Sequence, residues 1–172
     1  MNKVIKIGTR DSQLALWQAH TVQDKLQALG YSTKIVSVKS VGDLNLDTPL
    51  YELGITGVFT KTLDVAMLNN TVDIAVHSFK DVPTALPKGI VQGAVLNRAS
   101  TQDILVTKQP VDLSKPCTIA TGSLRRKAQW LHRYPNHTVV NLRGNVNTRL
   151  QKLQDNPWQG AIFAKAGLER IK

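Results

Sequence analysis

Cys117 is the only thiol in this 172-residue chain. One cysteine excludes an internal disulfide framework and suits a reducing cytoplasm. At the head of an apolar strand, it is expected to be a small core residue and not a nucleophile. No apolar run approaches the length that spans a bilayer, and the opening MNKVIKIGTR has no apolar core of the signal-peptide kind. Aromatic residues make up only 5%, so the stacking platforms of single-strand nucleic-acid binders do not stand out. P-loop, GxGxxG and GxSxG motifs are missing. The four histidines, His20, His77, His132 and His137, have no metal-ligand spacing. His132 and His137 read as helix-end and strand-start surface residues. Acids are scarce too: 12 Asp and Glu stand against 22 Lys and Arg, a net charge of +10. That excess points to an acidic partner, whether nucleic acid, an anionic membrane or a polycarboxylate or phosphate ligand.

What is present is a series of strands and helices. VIKIGT (4–9) reads as a strand and Ser12 to Leu29 as a helix closed by Gly30, with Ala15, Ala19, Val22, Leu26 and Leu29 as its buried stripe. TKIVSVKS (33–40) is a second strand. A long loop carrying Gly42, Pro49, Gly54 and Gly57 leads to a helix from about Phe59 to Leu68. TVDIAVHS (71–78), IVQGAVL (90–96) and DILVT (103–107) read as strands, the last two separated by the polar stretch NRASTQ. Beyond them come strand 117–121, helix 123–133, strand 138–142, helix 145–155, strand 160–164 and a last helix from near Ala166. Such alternation implies an α/β fold with mostly parallel sheets flanked by helices. Two small domains with a cleft between them are expected, 1–97 and 98–172, with NRASTQ as the crossing.

Three strand-to-helix junctions repeat one oddity. In ATGSLRRKAQW (120–130), Leu124, Ala128 and Leu131 make a buried stripe, so Arg125 and Arg126 fall in the first helical turn and point away from it. A helix N-terminus carries about half a positive charge and disfavours a cation by about 0.3–1 kcal/mol. In IGTRDSQLA (7–15), Arg10 precedes a helix capped by Asp11 or Ser12. In NLRGNVNTRL (141–150), Arg143 ends a strand, Gly144 allows the turn, and Arg149 lies off the stripe Val146, Leu150 and Leu153. Ligands of parallel sheets bind at the carboxyl ends of strands, where helix N-termini offer free N–H donors. Arginine adds a planar fork for carboxylate or phosphate. A bound anion would turn the local repulsion into attraction. DIAVHSFKDVP (73–83) brings Lys80 as a further anion contact and Asp81 as an acid/base group beside the cationic rim.

At these residues the sequence resembles the porphobilinogen deaminase (hydroxymethylbilane synthase) family. The likeness rests on GTRDSQLALWQ (8–18), GDLNLDTPL (42–50), GVFTKTLDVAML (57–68), DIAVHSFKDVP, TGSLRR and LRGNVNTRL, in family order along nearly the whole chain. It implies three α/β domains in the whole enzyme, the first two resembling type II periplasmic binding proteins. It implies head-to-tail condensation of four porphobilinogen units with loss of ammonia, giving hydroxymethylbilane. The growing chain is tethered to a dipyrromethane cofactor on a cysteine. Each pyrrole carries an acetate and a propionate, so the product is a polyanion, which suits a rim of arginines.

Position by position, the resemblance makes Asp81 the catalytic aspartate, placed to handle pyrrole N–H groups and to assist protonation of the leaving amine. It assigns cofactor binding to Arg10, Ser12, Lys80, Asp81, Thr121, Ser123, Arg125, Arg126 and Arg143. Substrate binding falls to Arg10, Phe59, Arg143, Arg149 and Arg170. The chain departs from the family where Thr56-Gly57 replaces the usual Gly-Lys-Gly and where TGS stands for two serines. Cys117 does not match the cofactor cysteine, which is expected beyond Lys172. The chain thus reads as an N-terminal portion, expected to have little or no turnover alone, whose expected partners are porphobilinogen and the missing C-terminal domain. No nucleic acid, membrane or metal is expected, and the protein is expected to be cytoplasmic and monomeric. A non-catalytic anion-binding module with the same cleft is the alternative.

Overall fold

The computed structural model describes residues 3–39 and 59–171. The long loop expected around Gly42 to Gly57, the stretch GDLNLDTPL and the Thr56-Gly57 departure lie outside the described residues. Residues 3–39, 59–97 and Ile171 form one compact unit, and residues 98–170 form another.

The first unit is a parallel sheet ordered β2-β1-β3, made of β1 (Ile5–Thr9), β2 (Thr33–Ser37) and β3 (Ile74–Ala75). The β1–β3 ladder runs past the two-residue strand, with Asp73 N donating to Lys6 O and Val76 N donating to Gly8 O, both at 2.9 Å. Helix α1 (Gln13–Ala28) follows β1 and α2 (Lys61–Leu68) precedes β3. Thr9, fully buried, donates its hydroxyl to Ala15 O of α1 at 3.1 Å. A Cβ on Gly8 would meet Leu63 of α2 and Val72 at 2.9 Å. Neighbouring residues of a strand face opposite ways, so α1 and α2 cover opposite faces. Ala15 and Ala19 are the buried residues of α1, whereas Leu29, expected in the stripe, is 73% exposed at the C-cap.

The second unit holds a four-stranded sheet ordered β4-β7-β5-β6: β4 (Asp103–Thr107), β5 (Thr118–Ala120), β6 (Thr138–Val140) and β7 (Gly160–Ala164). β5, β6 and β7 are parallel, and β4 alone runs antiparallel, pairing Asp103 with Ala164 and Thr107 with Gly160. Strand alternation sorts the core onto two faces. Ala120, Ala161 and Phe163 pack with Leu142 and with Val146, Leu150 and Leu153 of α4 (Val146–Asp155). Ile119, Ile162 and Cys117 pack on the other face with Trp130 of α3 (Leu124–Arg133). Both faces of the sheet are covered, which explains the apolar run GAIFA in β7. A short helix, α5 (Lys165–Glu169), closes the series.

Three expectations need correcting. IVQGAVL (90–96) forms no strand: Val91 is 84% exposed, Val95 and Leu96 are also in water, and among the described residues nothing pairs with it. Its β-branched residues supply propensity, but a strand also needs a partner ladder. Helix α3 does not bury Leu124 and Ala128; Leu124 is 54% exposed, Ala128 is exposed and Leu131 is half-buried. It turns Arg126, Trp130 and Tyr134 inward instead. Burying the Trp130 indole removes far more apolar area than the methyl of Ala128 could. His137, expected at the surface, is buried. Trp130 Nε1–H donates to His137 Nδ1 at 3.2 Å, so Nε2 bears the proton and donates to Leu113 O at 3.1 Å.

Candidate functional site

Each unit gathers its marked residues at the carboxyl edge of its parallel strands. In the first unit, β1 and β3 are paired and parallel, so the segments leaving them, Arg10–Ser12 and His77–Asp81, emerge at one edge. Ser12 caps α1 by accepting from Ala15 N at 3.3 Å. The Arg10 guanidinium lies 4.4 Å from the Phe59 ring centroid, within cation–π range. Lys80 and Asp81 sit on a one-turn 3-10 segment, Phe79–Asp81, held by Asp81 N donating to Ser78 O at 2.9 Å. Lys80 is exposed and makes no ion pair among the described residues, while Asp81 is half-buried.

His77, at the foot of the Lys80–Asp81 turn, was given no role by the sequence. Its Nε2 is buried without a hydrogen-bond partner among the described residues. Burial is the main cause holding its pKa below the usual 6.5; Arg10 pushes it the same way, and the charges of Asp64 and Asp81 partly oppose this. The neutral ring is therefore favoured beside Asp81.

In the second unit β5 and β6 are likewise paired and parallel. The turn Thr121–Ser123 leaves one and Arg143–Asn145 follows the other, while Thr121 N donates to Val140 O at 2.9 Å. Ser123 caps α3 by accepting from Arg126 N at 3.4 Å, and Asn145 caps α4 by accepting from Thr148 N at 2.9 Å. A shallow hollow beside the first turn of α3 is lined by Thr121, Gly122, Ser123, Lys127 and Asn141. Arg143 is buried, and Arg149 donates from Nε to Gly144 O at 2.8 Å. Gly144 has φ +110°, and a side chain there would also strike Thr148, so the LRGN turn requires glycine.

The two arginines of TGSLRR part company. Arg125 is exposed and has no partner among the described residues. Arg126 points away from Leu124 and Ala128 as expected, but that side of α3 is the inward one: its side chain is 18% exposed and forks Asp103, Nε to Oδ2 at 2.8 Å and Nη2 to Oδ1 at 2.5 Å. The reason is the rotation of α3 around Trp130, which carries the residue four positions earlier inward with it. Asp103 was legible only as the first residue of a strand, because its partner lies 23 positions away. Arg170 is the C-cap of α5, the helix that directly follows β7.

The arrangement suits a polycarboxylate: cations and capped helix N-termini share one sheet edge in each unit. A dipyrromethane bearing carboxylates fits the donor chemistry of Thr121, Ser123, Arg125 and Arg126 on the β5 side and of Arg143 on the β6 side. Among the described residues no three His, Cys, Asp or Glu side chains cluster as metal ligands, and no helix is long and apolar enough to cross a membrane.

The fold belongs to the class of type II periplasmic-binding-protein-like α/β proteins. The chain aligns with the VFT2 domain of Bordetella pertussis BvgS at TM-score 0.51 and 14% identity, covering 96% of this chain and 68% of that one. An ancestral cationic amino acid solute binding protein aligns at TM-score 0.53 and 12% identity, over 93% of this chain and 69% of that one. Within that class the chain belongs to the porphobilinogen deaminase family, whose sequence model "Porphobilinogen deaminase, dipyromethane cofactor binding domain" matches residues 5–172. It is 45% identical over 170 residues to porphobilinogen deaminase of Nitratiruptor sp., covering 97% of this chain and 55% of that protein. The probable porphobilinogen deaminase of Methanocaldococcus jannaschii is 46% identical, with 98% and 58% covered. The chloroplastic enzyme of Oryza sativa is 44% identical, with 98% and 49% covered. The chain thus spans about half the length of these relatives.

Proposed function

We propose that the complete protein condenses four porphobilinogen molecules head to tail, releasing ammonia at each step, and that water then cleaves the finished chain from its tether as hydroxymethylbilane for tetrapyrrole biosynthesis. This chain would supply the residues that bind and protonate. Asp81 on the turn after β3, at the same edge as Arg10, is the observation that carries the reading. Arg10, Lys80, Arg125, Arg126, Arg143 and Arg149 hold acetate and propionate groups, with Ser12, Thr121 and Ser123 as polar contacts, Phe59 beside the rings and Arg170 as a further cation. When bound, the dipyrromethane would supply the pyrrole carbon from which the chain grows.

Asp81 acts on protons. Its carboxyl reaches the pyrrole N–H and passes a proton to the departing amine, and its carboxylate then stabilises the positive charge left on the ring. Neutral His77 alongside adds no competing charge. The single cysteine supports a cytoplasmic setting. Asp81→Asn in the complete protein tests the assignment. Circular dichroism should be unchanged, while porphobilinogen consumption falls by at least about 10²–10⁴-fold. Near-normal consumption by a folded variant would overturn the role of Asp81.

A further inference from the structure

Arg126 raises a question that a carboxylate-binding role leaves open: what holds a cation in the first turn of a helix, with no acidic residue in that turn, before any ligand arrives? A guanidinium has five N–H donors. Asp103 takes Nε and one donor of Nη2, the side-on edge of the fork, and Ile162 O takes one donor of Nη1 at 3.4 Å. Two donors remain, one on each terminal nitrogen, which together can face a second carboxylate.

Asp103 reaches that place because of the one antiparallel strand. β4 begins where β7 ends, Asp103 opposite Ala164, so its first residue lies on the carboxyl edge of the parallel strands. The neighbouring Gln102 is held as well, its backbone oxygen accepting from Lys165 N at 2.9 Å and its Oε1 from Lys165 Nζ at 3.3 Å. The acceptor is therefore flanked by a held residue, and the half-buried guanidinium is tied to it through two nitrogens. Arg125, exposed beside it, has nothing comparable among the described residues.

We propose that Asp103 is a positioning residue: it holds the Arg126 guanidinium in the orientation that presents its two remaining donors to a pyrrole-borne carboxylate. This rests on reading the start of α3 as a carboxylate site. Porphobilinogen is titrated into the 172-residue chain and into Asp103→Asn, Asp103→Glu and Arg125→Gln. Binding is followed by calorimetry, the Arg126 Nε–H resonance by NMR, and folding by thermal unfolding.

Asp103→Asn should weaken porphobilinogen binding about tenfold and broaden or shift the Nε–H resonance, with Asp103→Glu recovering part of both. Arg125→Gln should weaken binding and leave that resonance in place. If Arg125→Gln weakens binding while Asp103→Asn does not, Asp103 is only a strut and this proposal alone falls. Tighter binding by Asp103→Asn would make Asp103 a competitor for Arg126, which also overturns it. If the unsubstituted chain binds no porphobilinogen, the reading of α3 falls and takes the proposal with it.

Discussion

Gly122→Ala tests the turn between β5 and α3 through one atom. An ideal Cβ on Gly122 would stand 2.5 Å from the Leu142 carbonyl oxygen, where real Cβ atoms essentially never come within 3.0 Å. The obstacle is main chain and cannot rotate aside. The Thr121 N to Val140 O hydrogen bond ties the two loops together just before the contact. Relief needs a shift of at least half an ångström in a packed strand edge, and overpacking of this kind costs about 1–3 kcal/mol. For a cooperative unit of this size each kcal/mol moves the midpoint by about 4–8 °C, so a fall of about 4–24 °C is expected. Thermal unfolding followed by tryptophan fluorescence reports it, since Trp130 and Trp158 both pack in the second unit. Gly93→Ala is the control, for a Cβ there meets nothing within 4 Å. A Gly122→Ala midpoint equal to that of Gly93→Ala would refute the close approach of the loops.

Leu153→Ala, at 1% exposure, should cost about 2–5 kcal/mol, whereas Leu124→Ala should stay within about 0.5 kcal/mol in urea unfolding. A large loss at Leu124 would mean that α3 faces the other way. Trp130→Phe leaves His137 Nδ1 without its donor and should cost about 1–3 kcal/mol, with the ring proton staying on Nε2 in nitrogen NMR spectra. A proton found on Nδ1 contradicts the pair. His77 is held below its unfolded pKa of 6.5, so the unfolded chain binds more protons in the window beneath 6.5. Its share of stability is present above that pH and is lost as pH falls through the folded value. Urea midpoints near about pH 7.5 and about pH 5 should differ less in His77→Gln than in the parent, and an equal difference counts against the burial of the ring.

The sequence read most truly where structure is local. Ser12, Ser123 and Asn145 cap their helices through amides three residues on, and β4 and β7 occupy the very residues, 103–107 and 160–164, whose apolar runs mark them. The stripe Val146, Leu150 and Leu153 packs as its spacing implies because nothing larger competes on α4. On α3 the same rule misled, since periodicity weighs Leu124 and Ala128 by kind while packing weighs Trp130 by area and by its hydrogen bond to His137. Family membership was legible from motifs spread along the chain. The Asp103–Arg126 fork was not, because no local pattern reveals a partner on a strand that runs against its neighbours. The unpaired course of 90–96 escaped for a related reason: alternation reports willingness to pair, not the presence of a neighbour.

Val91, Val95 and Leu96 have a practical bearing on how the material behaves in a test tube. Greasy side chains left wet make purified samples stick to one another as concentration climbs, and sulfate worsens it by strengthening apolar burial. Swapping Val91 for threonine or lysine would keep stock solutions clear without disturbing any hydrogen bond or packed cluster identified above.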